Sequence, residues 1–454
     1  MKALTLFEFE RINIEELGWS RDHPYLDLLE RLNESAGDTL INVGRKSIKA
    51  AKYVGVIRAG DLTIQILPKI DYLESDVGAE RKRPNRQRQE QSALTNLLHM
   101  LSYAEDLQLK EERRALTSAM PDDWFELLTY LFARELYTNV LSGPHRDYVR
   151  REERLPVMRG KWMISQQLSC HPHERHRFDL AYDEFELNTP LNQVFRYVIE
   201  QLLYLSRRAA NQRLLLILRA TLMDVKLLPS IDASMLDQIQ FTRLNERFQT
   251  AFSLARLFLK RETLLLSPGC KALYAFVFDM NRLFEDFVWG FLYTHRKRIF
   301  PEKPEDIHLQ KQAIGTSLHL IRDQANEKEH IRLRPDILLH DSLGRTRLVL
   351  DTKYKRLGRD AFKPQVAESD LYQMVAYMTR FDCRQSLLLY PSEVTNGQLR
   401  KAYSVPETSK QIGVATLDLH HSLRDINYFV HQFQSILTYL PNLHFREVHH
   451  GKTS

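Results

Sequence analysis

The chain has 454 residues, of which 43% are hydrophobic and 27% are charged, and its formal net charge is +6 with a pI near 9.0. These are ordinary proportions for a soluble globular protein. The length exceeds what one hydrophobic core fills and indicates two or three domains. The basic balance is compatible with nucleic-acid binding, but many proteins that bind no nucleic acid share it.

The cysteines and the apolar segments indicate in which cellular compartment the protein is found. Cys170, Cys270 and Cys383 are odd in number and far apart, which argues against a disulfide framework and fits a reducing environment. Glu8 and Glu10 interrupt the apolar start of the chain, so we expect no signal peptide. No run of about eighteen apolar residues occurs, so we expect no membrane-spanning helix and no membrane partner. We therefore expect a cytoplasmic protein.

Residues 1–78 are predicted to form a small β-rich domain. Leu62, Ile64 and Ile66 alternate with polar residues, which is typical of a half-buried strand. An Ala-Gly-Asp turn precedes them and indicates a hairpin with a strand over 54–57.

The next segment, 79–91, is polar, basic and broken by a proline, and we interpret it as an exposed linker. From 92 to 265 the pattern is mostly helical, with long amphipathic segments over 124–133 and 191–205. Residues 143–183 are predicted to be irregular and basic. Such a patch either follows a nucleic-acid backbone or meets an acidic protein surface. Its basic and aromatic residues are Arg146, Tyr148, Arg150, Arg151, Arg154, Arg159, Lys161 and Trp162.

A cysteine and three histidines crowd into one loop of this patch, namely Cys170, His171, His173 and His176. Structural zinc usually draws on two separated pairs of ligands. We therefore predict exposed histidines here rather than a zinc site.

The strongest sign of function is an Arg-Pro-Asp sequence that ends at Asp336 and is followed, fifteen residues after that aspartate, by Asp351-Thr352-Lys353. Two apolar runs with a Leu-Gly turn between them predict a β-hairpin. This hairpin would place Asp336 opposite Asp351, with Cβ atoms roughly 5 Å apart, and Lys353 on the same face as Asp351. Facing carboxylates are destabilising unless a cation neutralises them, and hard oxygen ligands suit Mg²⁺, with Mn²⁺ as the alternative. Short patterns of this kind also occur by chance, but charges at the ends of buried strands need a reason.

The pattern resembles the PD-(D/E)xK nuclease superfamily, with Asp336 and Asp351 as the acids and metal ligands and Lys353 as the lysine. The resemblance implies a restriction-endonuclease-like domain over 266–454, with a mixed central sheet and an αβββαβ core. The expected fold class is thus α/β (α+β), in which this domain follows a small β-rich domain and a mostly helical region.

The elements around the hairpin can be placed on that core. The apolar pattern predicts a helix over 276–294 before the hairpin and a second helix over 368–378 after it. Later strands are predicted over 386–390 and 413–417.

Further site residues follow from the same resemblance. In several branches of the superfamily the helix after the lysine carries a Gln-x-x-x-Tyr pattern, which Gln373 and Tyr377 match on one helix face. An ordinary half-buried helix face is the alternative. Glu285 is either the acid that some members place on the first helix or a solvated glutamate. We assign Gln373 and Glu285 to catalysis, and Arg334, Lys355 and Tyr377 to DNA binding.

The remaining chain resembles the McrC family, the nuclease subunits of the McrBC modified-cytosine restriction system, whose partner McrB is an AAA+ GTPase. The resembling segments are 53–57, 62–70, 159–161, 182–184, 188–192, 350–355 and 370–374. The resemblance implies that the N-terminal part docks on the GTPase and stimulates it, and that the substrate is cytosine-modified DNA. No GxxxxGK[ST] loop occurs in the sequence, so we expect a partner to hydrolyse the nucleotide. The alternatives are an autonomous nuclease of DNA repair or phage defence, and a non-catalytic scaffold that activates the GTPase.

Overall fold

The structure is a computed structural model in which the chain divides into two compact units, Met1–Pro121 with Thr263–Ser454, and Asp122–Glu262. The described residues are 2–69, 86–107, 124–169, 171–174, 176–265, 273–301, 306–311, 318–324, 327–355, 358–360, 363–392 and 399–438. Among the described residues no helix is long and apolar enough to span a membrane.

The N-terminal part of the first unit contains the predicted hairpin. Its elements are β1 (Lys2–Phe7), β2 (Arg11–Asn13), α1 (Pro24–Ala36), β3 (Ile41–Val43), β4 (Ser47–Ala50), β5 (Tyr53–Ala59), β6 (Leu62–Leu67) and α2 (Arg86–Ala104). Strands β5 and β6 pair antiparallel, which confirms the hairpin, and β1 lies parallel to β6. Strands β2, β4 and β3 form a separate small sheet.

Helix α2 explains two differences from the sequence-based expectations. It begins at Arg86, so residues 86–91 of the predicted linker are helical, while 79–85 lie outside the described residues. Its Ala93 packs against Phe7 and Leu67, at the ends of β1 and β6. Both faces of β6 are covered as a result, and Thr63 is only 7% exposed, so the prediction of a half-buried strand is wrong.

The second unit is mostly helical. Its elements are α3 (Trp124–Leu141), β7 (Asp147–Leu155), β8 (Lys161–Trp162), α4 (Ile164–Leu168), β9 (Phe178–Glu186), α5 (Pro190–Leu205), α6 (Ala209–Thr221), α7 (Ala233–Gln238) and α8 (Gln249–Arg261). The prediction of an irregular stretch over 143–183 is wrong, because β7 and β9 pair along their whole length and β8 adds a third strand. Strand β7 lacks the usual apolar alternation, since cross-strand ion pairs take the place of apolar contacts.

The chain then returns to the first unit. The elements are β10 (Glu262–Leu265), β11 (Leu273–Asp279), α9 (Met280–Ile299), β12 (His308–Lys311), β13 (His319–Arg322), β14 (Glu329–Arg332), β15 (Ile337–His340), β16 (Thr346–Thr352), β17 (Gly358–Asp360), β18 (Lys363–Gln365), α10 (Glu368–Arg380), β19 (Gln385–Pro391), β20 (Arg400–Ser404), β21 (Gln411–Leu417) and α11 (Ile426–Thr438). Helix α10 and strands β19 and β21 confirm the predictions over 368–378, 386–390 and 413–417.

Strand β11 joins the N-terminal sheet, whose order is β1-β6-β5-β11-β10. The helix predicted from 276 therefore begins later, at Met280, because the apolar run before it forms a buried strand. A short apolar run fits either structure, so periodicity alone could not decide. Gly55 on β5 permits this pairing, since a Cβ at its φ of +141° would lie 2.1 Å from the Phe276 carbonyl oxygen.

The second large sheet is mixed and has six strands in the order β12-β15-β16-β19-β21-β20. Strands β15 and β16 are antiparallel, whereas β16, β19 and β21 run parallel. Helix α10 covers one face through Met374 and Tyr377, which pack in one core with Leu338, Val349 and Leu388. Residues on both faces of β15 and β16 are buried, so a charged side chain at the end of these strands leaves water almost completely.

Candidate acidic site at the end of a β-hairpin

The predicted hairpin of β15 and β16 is confirmed. Ile337 pairs with Leu350, and a bulge after Leu339 adjusts the strands to the turn. Asp341 closes that turn by accepting the backbone N–H groups of Leu343 and Arg345. If the same register is extended by one residue beyond the Ile337–Leu350 pair, Asp336 lies opposite Asp351.

Asp336 is fixed by the end of β16. Its Oδ2 accepts hydrogen bonds from the backbone N–H (2.6 Å) and the hydroxyl (2.8 Å) of Thr352. Burial raises the pKa of Asp336, and the nearby Asp286 adds to the rise, against the lowering by Thr352 and Lys353. The two hydrogen bonds from Thr352 thus orient the Asp336 carboxyl group, but they do not fully offset the cost of its negative charge.

Asp351 is 1% exposed and lies beside Lys353, whose Nζ is 2.7 Å from its Oδ2. Burial raises the pKa of Asp351 to about 7, and the charge of Asp336 contributes to the rise. Burial alone would lower the pKa of Lys353, but Asp351 and Asp336 outweigh it and raise that pKa. One lysine therefore serves a buried carboxyl group, Asp351, and a half-buried one, Asp336.

A cavity of about 550 Å³ opens beside these residues. It is lined by Asp279, Asn281, Arg282, Glu285, Arg334, Asp336, Thr352, Lys353, Tyr354 and Lys355. The wall thus brings together five of the predicted site residues, namely Glu285, Arg334, Asp336, Lys353 and Lys355. Asp351 lies behind this wall. The mixture of carboxylates and cations suits a phosphate group approached by a metal ion.

Gln373 and Tyr377 lie behind the cavity rather than on its wall. Gln373 Nε2 donates to the Tyr377 hydroxyl (2.7 Å), which donates to the backbone carbonyl of Arg334 (3.1 Å). Tyr377 is 2% exposed and has no surface to offer DNA. The structure therefore gives no support to the predicted contact of Tyr377 with DNA. Gln373 and Tyr377 instead hold the backbone at Arg334, two residues before Asp336.

Several contributing residues were missed from the sequence. Asp370, 5% exposed, accepts a hydrogen bond from the Tyr390 hydroxyl (2.6 Å) and lies 2.7 Å from Lys355 Nζ. Asp279 caps helix α9 by accepting the Asn281 backbone N–H (2.9 Å). An aspartate in the first turn or at the start of a helix is the signal that was available, although it usually indicates capping alone.

Helix α9 contributes a second acidic pair. Glu285 lines the cavity, while its neighbour Asp286 forms an ion pair with Lys311. Asp286 is close enough to Asp336 to raise its pKa.

The histidine loop of the second unit does not show a metal centre. His171, His173 and His176 are exposed, and Cys170 lies outside the described residues. Within the described ranges, no group of three or more His, Cys, Asp or Glu side chains could hold a metal ion.

Comparison with known proteins identifies the family. The family model described as the McrBC 5-methylcytosine restriction system component matches residues 48–391, which is more than half of the chain. The protein belongs to this family. No curated protein matches it.

Two solved structures have a similar fold. One is a half-complex from an assembly of Thermococcus gammatolerans McrB AAA+ hexamers with bound McrC, with a TM-score of 0.65 and 22% identity over 96% of this chain and 99% of that chain. The other is the Thermococcus gammatolerans McrBC complex, with a TM-score of 0.51 and 25% identity over 64% of this chain and 87% of that chain. At 22% identity, the first match establishes a common fold.

Proposed function

We propose that the protein is the nuclease subunit of a McrBC-like, GTP-dependent restriction system. It is a Mg²⁺-dependent endonuclease of the PD-(D/E)xK type that cleaves cytosine-modified DNA in the cytoplasm. It docks on an AAA+ GTPase of the McrB type and stimulates it. The observation that carries the nuclease proposal is the pair of facing carboxyl groups, Asp336 and Asp351, with Lys353 beside them at the cavity. Family membership supports the restriction role, and the likeness to assemblies of McrB with McrC supports the partner.

The residues present fit a divalent cation. Burial raises the pKa of both aspartates, and their mutual repulsion is offset by a single lysine. Two carboxylates are a usual protein contribution to a Mg²⁺ site, because this ion keeps several waters and binds substrate phosphate with the rest of its shell. We therefore assign Asp336 and Asp351 as the residues that hold Mg²⁺, or Mn²⁺ in its place. When bound, the ion polarises the scissile phosphate and lowers the pKa of a bound water.

The chain's own side chains then have separate roles. Lys353 orients the attacking water and stabilises the negative charge that develops on the phosphate oxygens. Arg334 and Lys355, together with Arg282 on the same wall, contact neighbouring phosphates. Gln373 acts through Tyr377, whose hydrogen bond to the Arg334 carbonyl sets the position of that arginine.

The test is cleavage of methylated and unmethylated plasmid in the presence of Mg²⁺. The purified protein alone is compared with the protein plus the McrB-type GTPase of the same organism and GTP. We expect cutting of methylated plasmid in the complete mixture only, with loss of cutting for Lys353→Ala. The matched control is Lys226→Ala, since Lys226 is an exposed lysine of the second unit.

Other outcomes identify the alternatives. Robust cutting by the purified chain alone favours an autonomous nuclease. Normal stimulation of the GTPase without cleavage, with either Mg²⁺ or Mn²⁺, favours a non-catalytic scaffold. Undiminished cutting by Lys353→Ala contradicts the assigned site.

A further inference from the structure

Glu8 is a buried carboxyl group that joins three segments of the first unit. It follows β1 directly, is 1% exposed, and donates its backbone N–H to the carbonyl of Leu67 at the end of β6 (2.9 Å). Its Oε2 accepts hydrogen bonds from the backbone N–H of Lys69 (3.1 Å) and from the hydroxyl of Tyr354 (2.8 Å). Its Oε1 accepts no hydrogen bond from the residues that the structure describes. A buried acid in such a place costs stability, so it calls for a functional explanation.

Tyr354 lies between Lys353 and Lys355 and lines the cavity. Strand β16 ends at Thr352, and beyond it the backbone is held on one side by the hydrogen bond from the Lys353 N–H to the Leu389 carbonyl (2.9 Å). The hydroxyl of Tyr354 reaches the N-terminal sheet through Glu8. The Tyr354 ring also faces Phe284 of α9, with centroids 5.8 Å apart. The Tyr354 side chain is thus held at its hydroxyl by Glu8 and at its ring by Phe284, and both contacts restrain the segment that carries Lys353.

We propose that Glu8 is a positioning residue of the nuclease site, which acts by holding the Tyr354 hydroxyl and thereby the backbone of Lys353 and Lys355. This inference rests on the proposed function of Lys353. It makes the N-terminal sheet part of the catalytic unit rather than a docking module alone. The effect is one of geometry, because small displacements of a catalytic group reduce rates strongly.

The electrostatics support a neutral link. Burial raises the pKa of Glu8 to about 8, with a further contribution from Asp279, against the lowering by Lys69 and Tyr354. A neutral carboxyl group adds no negative charge beside the cavity, whose wall already contains Asp279 and Asp336. Glutamine has the same shape as a protonated glutamate and keeps an acceptor oxygen for Tyr354. Glu8→Gln is therefore the conservative variant, and Glu8→Ala removes the link.

The experiment compares Glu8→Ala, Glu8→Gln, Tyr354→Phe and the double variant Glu8→Ala/Tyr354→Phe in the complete cleavage mixture with Mg²⁺. We expect kcat to fall about tenfold for Glu8→Ala and for Tyr354→Phe, with KM for DNA unchanged. The double variant should fall no further than either single variant, because both remove one contact. Glu8→Gln should retain a kcat within about twofold of wild type.

Leu6→Ala separates positioning from general loss of stability. Leu6 is a buried residue of β1 that packs in the core of the N-terminal sheet, a cluster to which Tyr354 does not belong. We expect this variant to lower Tm as much as Glu8→Ala while it leaves kcat unchanged below the transition. Equal losses of kcat in Leu6→Ala and Glu8→Ala, additive losses in the double variant, or full activity of Glu8→Ala would each overturn the proposal.

Hydrogen exchange gives a second readout that needs no nuclease activity. The amides of 350–355 should exchange faster in Glu8→Ala than in wild type, and at the wild-type rate in Glu8→Gln and Leu6→Ala. Unchanged exchange in Glu8→Ala overturns the positioning role whether or not the protein cleaves DNA. If exchange is faster in Glu8→Ala but the wild-type protein cuts DNA under no condition, the proposed function is refuted and the Glu8–Tyr354 link stands.

Discussion

Two regions of the molecule hold dense charge, and they neutralise it differently. In the sheet of β7, β8 and β9, arginines face carboxylates across the strands: Arg154 lies 2.7 Å from Asp179, and Arg151 pairs with Glu186. In the candidate site, Asp351 is buried and Asp336 is half-buried, with one lysine, Lys353, beside them. The first region balances its charges locally, whereas the second sets two carboxyl groups against one lysine, a surplus of one acid among these three side chains.

The difference shows which charges indicate function. Ion pairs whose arginine remains partly exposed, such as these, contribute little to stability and serve to hold one strand to the next. A buried surplus lowers stability, so it persists where a ligand or a reaction uses it. The basic residues over 143–183 predicted a surface for either a nucleic-acid backbone or an acidic protein, but much of that positive charge already has a partner within the sheet of β7, β8 and β9.

The largest expected effect is on DNA cleavage, when one of the two facing carboxyl groups is removed. Asp351→Asn should reduce cleavage at least about a thousandfold, because the variant loses a charged metal ligand. Its Tm in metal-free buffer near pH 8 should stay equal or rise. The folded pKa of Asp351, about 7, is above its unfolded value of 3.8, so the ionised side chain lowers stability as the pH rises through this range.

The matched variant in the other region is Asp179→Asn, which removes the carboxylate that Arg154 contacts through two nitrogens. It should lower Tm and leave cleavage within about twofold of wild type. Both properties can be measured on the same samples, by thermal unfolding and by the plasmid assay. Full cleavage by Asp351→Asn would falsify the assignment of this aspartate.

The second prediction concerns DNA affinity. Arg334 is exposed on the cavity wall, whereas Arg151 pairs with Glu186 and Glu184. Arg334→Ala should weaken DNA binding about tenfold and reduce the slope of log affinity against log salt by about 1, since one phosphate contact is lost. Arg151→Ala should change affinity less than about twofold, because that arginine has few counterions to release.

Fluorescence anisotropy over a range of KCl concentrations measures both quantities, with Ca²⁺ in place of Mg²⁺ to suppress cutting. An equal loss in the two variants would show that the sheet of β7 and β9 also binds DNA. The contrast between the two regions would then be wrong.

The hairpin could be predicted from the sequence because its signals are local. Two apolar runs and a Leu-Gly turn fix the register, and the register places Asp336 opposite Asp351. The strand at 273–279 could not be predicted. Its apolar run fits a helix equally well, and its partner strand β5 lies more than two hundred residues away in the sequence. Glu8 was missed for the same reason, because its partner Tyr354 is 346 residues away in the sequence.

The smallest expected effect compares two buried carboxyl groups, one in each unit. Glu8 has an oxygen without a donor among the described residues, and burial raises its pKa from 4.5 to about 8. Glu126 of α3 accepts hydrogen bonds at both oxygens, from the Arg207 N–H (2.7 Å), the Ser206 hydroxyl (2.6 Å) and the Asn211 amide (2.8 Å). Burial thus leaves one carboxyl group short of donors and the other surrounded by them.

Substitution by glutamine should therefore have opposite effects on stability. Because the folded pKa of Glu8 exceeds its unfolded value, wild-type stability declines as the pH rises from 4.5 to about 8, and Glu8→Gln avoids this decline. We expect Glu8→Gln to match wild type near pH 4 and to exceed it in Tm by an amount that grows as the pH rises to about 8. Glu126→Gln should lower Tm across the pH range, since its new amide group faces donors. Calorimetry of both variants at several pH values tests the pair, and a gain for Glu8→Gln that is independent of pH would show that the carboxyl group is not protonated in the folded protein.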